Sequence, residues 1–168
     1  MTCKYCENIE RKVYEDENLV AFLSDTPAVP GHIILTTKEH YTILEQVPEE
    51  LAGKLFDTAN VLSSALFEAF GAEGTNTLIQ NGTGAGQKIP HLAVNIIPRK
   101  QNDSLNFEWQ PKQLDKEEFG VIELKLKNAC NKIVLGKEAP AEEVEEVKEE
   151  KQEIKDSSWV KSVITRLP

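Results

Sequence analysis

Between Pro48 and Gly71 the residues Leu51, Leu55, Ala59, Leu62, Leu66 and Phe70 recur at helical spacing and form one apolar stripe. That stripe constrains the fold more than any other feature, because it must be buried along its whole length. Pro48 suits the first turn of a helix, Glu49 and Glu50 suit the positive end of its dipole, and Gly71 suits a left-handed stop. The surface that covers the stripe has to come from shorter runs. Lys12 to Glu15 and Leu19 to Leu23 read as strands joined by a turn at Asp16, Glu17 and Asn18. After breaks at Pro27 and Pro30-Gly31, Ile33 to Thr36 reads as a buried strand that ends in the polar stretch Thr37 to His40. Thr75 to Gln80 is a further strand, and His91 to Ile97 another, with Pro98 and Arg99 expected to stop it. Strands that flank the helices, with hairpin-length connections early on, predict an α+β domain built on an antiparallel sheet.

A second helix is expected from Asp115, where Glu118 completes a capping box. Phe119, Ile122, Leu126, Ala129 and Ile133 then share a face before Gly136, and Gly120 weakens the helix without ending it. Residues 1–136 are thus the expected domain. Beyond it, the formal charge of -9 is concentrated where Glu138, Glu142, Glu143, Glu145, Glu146, Glu149, Glu150 and Glu153 crowd together, so 137–156 reads as an acidic linker. In 157–168, Trp159, Val160, Val163, Ile164 and Leu167 fall on one side of a short amphipathic helix capped by Ser157 or Ser158. The acidic balance argues against a nucleic-acid backbone or an anionic membrane as partner, since either would be repelled. Met1 to Glu7 lacks the apolar core of a signal peptide, and no stretch approaches the roughly 20 apolar residues of a membrane span, so a cytoplasmic protein is expected.

Three cysteines suit a metal site plus one thiol, Cys130, better than a disulfide framework. Cys3-Lys4-Tyr5-Cys6 has the spacing that lets two thiolates reach one ion, and two thiolates need two more ligands to close a tetrahedron. His40 lies where the third strand ends and His91 where another begins, positions that can converge at one end of a sheet. These observations predict a closed structural zinc site of Cys3, Cys6, His40 and His91. Two other readings stay open: a redox pair, which is usually found at the start of a helix following a strand, and two unpaired thiols in a loose N-terminus. His32, at the opposite end of its strand, is expected to pack or hydrogen-bond rather than to bind metal.

Asn81 to Gln87 is a glycine-rich loop in which Gly82, Gly84 and Gly86 let backbone amides face an anion, with Gln87 as a neutral donor and Lys88 as a cation beside them. Alone, such a loop is more often a flexible turn. In the strand that follows, alternation turns His91, Ala93 and Asn95 one way and Leu92, Val94 and Ile96 into the core. The whole run from Gln80 to Arg99 resembles the signature of the histidine-triad (HIT) family, in which H-φ-H-φ-H-φ-φ follows a G-Q loop. Val13 to Glu17, Ala21 to Leu23 and Pro30 to His40 are similar to the family's other recurring segments, so the resemblance covers roughly residues 3 to 135.

The resemblance implies a HIT-like antiparallel sheet with two main helices, paired into a homodimer, which binds a purine nucleotide such as AMP or GMP. It implies zinc on Cys3, Cys6, His40 and His91, and a nucleotide among Leu23, Ser24, Asp25, Gln80, Gly86, Gln87, Lys88 and Asn95. The triad positions are His91, Ala93 and Asn95. In the family the middle histidine attacks the α-phosphorus and carries the nucleotide as a phosphoramidate, a route that needs an imidazole nitrogen. Ala93 offers a methyl group. Asn95 can keep one hydrogen bond to phosphate but supplies no positive charge, and Ser24 stands where the family commonly has an acid for the ribose hydroxyls, with Asp25 next to it. The reading that results is a nucleotide sensor or carrier that does not hydrolyse its ligand. The alternatives are a disabled form of a nucleotidyl hydrolase whose parent had an intact triad, and a zinc-stapled protein-interaction scaffold.

Overall fold

The structure, a computed structural model, describes residues 3–7 and 9–133; the expected acidic linker and terminal amphipathic helix lie outside them. Five strands form one antiparallel sheet: β1 (Lys12–Glu15), β2 (Leu19–Leu23), β3 (Ile33–Thr37), β4 (Gly74–Ile79) and β5 (Val94–Arg99), in the spatial order β1-β2-β3-β5-β4. Helix α1 (Glu49–Phe70) joins β3 to β4, and α2 (Lys116–Cys130) follows β5. The chain divides into two compact units: the sheet and α1 belong to residues 1–114, and α2 to the unit that begins at Asp115. This is the HIT-like α+β fold. No helix among the described residues is long and apolar enough to cross a membrane.

Alternation along the strands sorts the sheet into two faces. Leu19, Ala21, Ile33, Leu35, Val94 and Ile96 point one way and close over Leu55, Ala59, Leu62 and Leu66 of α1 to make the core. The outer members of the stripe do less: Leu51 packs at the margin of that core and Phe70 stays 44% exposed. Pro48 is the N-cap of α1 and not its first helical residue, accepting from the Ala52 amide through its carbonyl, while Gly71 takes the left-handed conformation at φ 56° and ends the helix. At the β1–β2 turn Asp16 accepts from the amides of Asn18 and Leu19 and from the Tyr14 hydroxyl. Against the opposing effect of desolvation, these bonds hold its carboxyl well below the usual range.

β5 differs from its expected span at both ends. It begins three residues late, because Leu92 satisfies its backbone outside the ladder: its amide donates to the Tyr41 carbonyl (2.7 Å) and its carbonyl accepts from the Thr36 hydroxyl (2.5 Å). It also runs through Pro98 and Arg99. Pairing with β3 ends at Ile33↔Ile96, so Pro98 has a neighbour on one side only, Thr75 of β4, and its missing N–H breaks no second ladder.

In α2 the capping box forms as expected: Glu118 N donates to Asp115 Oδ1 (2.8 Å) and Asp115 N donates to Glu118 Oε2 (3.1 Å). Gly120 lies inside the helix, which stops at Cys130, so Ile133 falls beyond it. None of the helix's residues is buried, including Phe119 and Leu126 on the apolar face.

Candidate functional site: a thiol–histidine cluster beside a cavity

β3 and β5 are antiparallel neighbours, which sets the residues after β3 beside those before β5. His40 and His91 occupy those two places. A tight turn, in which the amides of Cys6 and Glu7 donate to the Cys3 carbonyl, brings both thiols to the same point. One ligand atom from each of Cys3, Cys6, His40 and His91 lies within 4.8 Å of every other. Cys3 Sγ is 3.3 Å from His91 Nδ1, Cys6 Sγ is 3.2 Å from His40 Nδ1, and Cys6 Sγ is 3.4 Å from His91 Nδ1. A tetrahedral zinc with its usual bond lengths has S···N edges of about 3.5 Å. The four residues therefore fit one such ion.

The tautomer of His91 fits as well. Its Nε2 sits 2.9 Å from the Thr37 carbonyl, which only accepts, so the proton is on Nε2 and the Nδ1 lone pair faces the thiols. The ring is 1% exposed, and burial holds its pKa below the usual histidine value, with the Thr37 carbonyl opposing and the nearby His40 assisting. Cys6 is pushed up by desolvation and then by its neighbour Cys3. Two thiols held this close favour a bound cation over two free thiolates.

On the sheet face opposite α1 lies a cavity of about 280 Å³, lined by Phe22, Ser24 and Ile34 from the strands and their ends, by His91, Ala93 and Asn95, and by the loop residues Gln80, Gly86, Gln87 and Lys88. Of the residues expected around a nucleotide, Ser24, Asp25, Gln80, Gly86, Gln87, Lys88 and Asn95 line it. Leu23 does not: alternation turns it away from Phe22 and Ser24, and it packs on the core.

The loop is organised internally. Gln87 accepts from the Gly82 amide (2.7 Å) and donates to the Thr42 (2.7 Å) and His91 (3.3 Å) carbonyls, so its side chain shapes the loop and leaves no amide proton for a ligand. Gln80 donates to the Ala85 carbonyl directly across Gly86. A Cβ on Gly86 would meet Gln80 Nε2 at 2.7 Å, and its φ of +87° is itself a glycine conformation. The amides of Ala85, Gly86 and Gln87 turn back onto Gly82 and Thr83. Among the described residues no acid holds Lys88, a cation at the cavity. Lys4 is bound by Asp25 at 2.9 Å, and Asp25 is bound again by Arg11 at 2.9 Å. Those partners raise the pKa of Lys4 and lower that of Asp25. Ser24 Oγ accepts from the Thr26 amide (3.3 Å).

His32 hydrogen-bonds within this cavity. Its Nδ1 accepts from the Ala28 amide (3.2 Å), so Nε2 carries the proton and donates to Asn95 Oδ1 (3.0 Å). Burial lowers its pKa, opposed by Asn95, and the ring is neutral. Asn95 is thereby oriented with its NH₂ toward Leu78 O (3.4 Å) and the cavity. Sequence reasoning missed Lys4, Tyr5, Phe22, Thr26, His32, Ile34 and Ile89 as lining residues. Alternation along β2, which places Phe22 beside Ser24, was the signal for one of them; the N-terminal arm carries no periodicity from which to place Lys4 or Tyr5.

The family model of the HIT domain matches residues 6–102. In sequence, the adenylylsulfatase HINT3 of Arabidopsis thaliana is 30% identical over 138 residues, spanning 77% of this chain and 70% of that protein. In structure, a member of the HIT family from Bacillus subtilis superposes with a TM-score of 0.71 at 28% identity, covering 76% of this chain and 96% of that one. A Zn-bound histidine triad family protein from Mycobacterium smegmatis superposes with a TM-score of 0.60 at 28% identity, covering 76% and 97%.

Proposed function

Because this chain belongs to the HIT domain family, we propose that it binds a purine nucleotide such as AMP or GMP without hydrolysing it, acting as a sensor or carrier in a domain stapled by structural zinc. One observation carries this reading. Among the described residues no acid pairs with Lys88 at the cavity, and Asn95 offers an oriented amide, yet the position between His91 and Asn95 presents the methyl group of Ala93. A ligand phosphate can be held there, but position 93 offers no imidazole to attack it, and the ring nitrogens of His32 and His91 are already engaged. Loss of a nucleophile typically costs several orders of magnitude in rate even when binding contacts persist.

Cys3, Cys6, His40 and His91 would hold the zinc, whose contribution is to tie the N-terminal arm to the sheet. The Zn-bound relative from Mycobacterium smegmatis supports that choice of metal. Pairing into a homodimer and residence in the cytoplasm belong to the same proposal; among the described residues β4 is an edge strand paired on one side only, which suits addition of a second copy.

Thermal unfolding of the zinc-loaded chain with and without AMP tests the reading. A ligand that binds only the folded state stabilises it by about 2.7 kcal/mol at a hundredfold excess over Kd. A clear rise in Tm with AMP recovered unchanged is expected, and no rise at millimolar nucleotide would refute it.

A further inference from the structure

The two residues enclosed by the metal-binding cysteines, Lys4 and Tyr5, are themselves lining residues of the cavity. We propose that Cys3 and Cys6 are positioning residues of the nucleotide cavity, so that loading of the metal cluster is what lets the cavity hold its ligand. The proposal rests on the nucleotide-binding reading above and adds a condition to it.

Along residues 3–7 and 9–11 no side chain is fully buried; Cys3, Tyr5 and Ile9 are half-buried and the others exposed, so apolar burial anchors the arm only weakly. Among the described residues, no backbone hydrogen bond from residues 3–10 reaches the sheet. The bonds of the Cys6 and Glu7 amides to Cys3 close the arm's own turn, and the first link to the sheet is Leu23 N donating to the Arg11 carbonyl (3.1 Å). The ion pair of Lys4 with Asp25 joins side chains that are 61% and 49% exposed, where water and salt screen it. Tyr5 meets Phe22 edge-on at 5.4 Å and His91 at 5.9 Å, contacts that fix its ring once it is there. What remains is the set of approaches from the two thiols to His40 and His91.

His91 joins the two sites directly. Its Nδ1 faces the thiols while its ring lines the cavity. A bound ion thus fixes three cavity residues together: Lys4 and Tyr5 through the turn between the cysteines, and His91 as a ligand. Without the ion, the arm is free to leave and the cavity loses one wall. The coupling has to be reciprocal, with nucleotide raising the affinity for metal by the same factor.

The test is calorimetric titration of AMP into the full chain in three states: zinc-loaded, stripped with a chelator, and reloaded with zinc. Stripping is expected to weaken AMP at least tenfold, reloading to restore it, and amide exchange at Cys6 and Glu7 to rise in the stripped state. Equal affinity in the loaded and stripped states would overturn the proposal. Should stripping unfold the chain, as far-UV circular dichroism would report, the zinc-loaded Tyr5→Ala variant decides. It is expected to keep one zinc per chain and to lose AMP affinity fivefold or more, and unchanged affinity overturns the proposal. Failure of the zinc-loaded wild type to bind AMP at millimolar concentration is a different result, which removes the nucleotide reading itself.

Discussion

His91 and Ala93 are two residues apart on the run into β5, and they belong to two halves of one site that are differently equipped. Around His91 every part of a metal site is in place: four donors within 4.8 Å, a buried ring, and a carbonyl that sets its tautomer. Around Ala93 the polar lining of the cavity surrounds a methyl group, and the neighbouring Asn95 is fixed by His32 as a neutral donor. Leu92, Val94 and Ile96, on the opposite face, hold both halves in register through the core. The contrast shows that the shape of the cavity depends on strand pairing and packing, which do not need a histidine at position 93; in the proposed reading it is the hydrolytic chemistry that does.

The largest expected effect is on the metal half. Cys6→Ser should lower stability by about 4 kcal/mol if zinc is present at a thousandfold excess over its wild-type Kd, a fall in Tm on the order of 10 °C. An unchanged melting curve would remove the structural role of the cluster and with it the contrast. Leu92→Ala, which removes a side chain 1% exposed, should cost about 3 kcal/mol. Unlike the cysteine variant it should do so with or without zinc, because Leu92 supports both halves. Next, Gly86→Ala places a methyl group against Gln80 and strains a φ of +87°, for about 1 to 2 kcal/mol. It should weaken AMP binding while leaving the zinc affinity of the nucleotide-free chain as it is, and a loss of that affinity would show that the substitution disturbs the metal half directly and not through the nucleotide.

The smallest effect concerns His32 and pH. Burial lowers its folded pKa, so as pH falls below about 6.5 the unfolded chain takes up a proton that the folded ring resists. Stability contributed by the neutral ring is therefore present above that pH and declines below it, by up to about 1.4 kcal/mol per pH unit until the lowered pKa is reached. His32→Gln should flatten that part of the profile between pH 5 and 7. Cys3, Cys6, His40 and His91 are common to both proteins, so the difference between their profiles isolates His32.

Much of this was legible in the sequence because it is local. The α1 stripe, the β1–β2 turn at Asp16 and the capping box at Asp115 each depend on residues a few positions apart, and each forms. The alternation at His91, Ala93 and Asn95 was also readable, since side-chain period does not require the ladder to extend that far. The start of β5 was not readable. It is decided by Thr36 and Tyr41, distant in sequence, which take up the hydrogen bonds of Leu92. The role of Gln87 was hidden for a similar reason: an amide beside a glycine loop can serve a ligand or the loop, and only the carbonyls of Thr42 and His91 show that it serves the loop. Nor does the acid after Ser24 wait free for a sugar, because Lys4 and Arg11 hold Asp25 from outside the pattern.

The most direct measurement is to incubate the zinc-loaded chain with the phosphoramidate of AMP and follow it by phosphorus NMR. Saturable line broadening with no product over hours is the expected result, meaning a cavity that holds the nucleotide and lacks the nucleophile to cleave it. Steady release of AMP at a rate proportional to protein, or no interaction at any concentration, would contradict it.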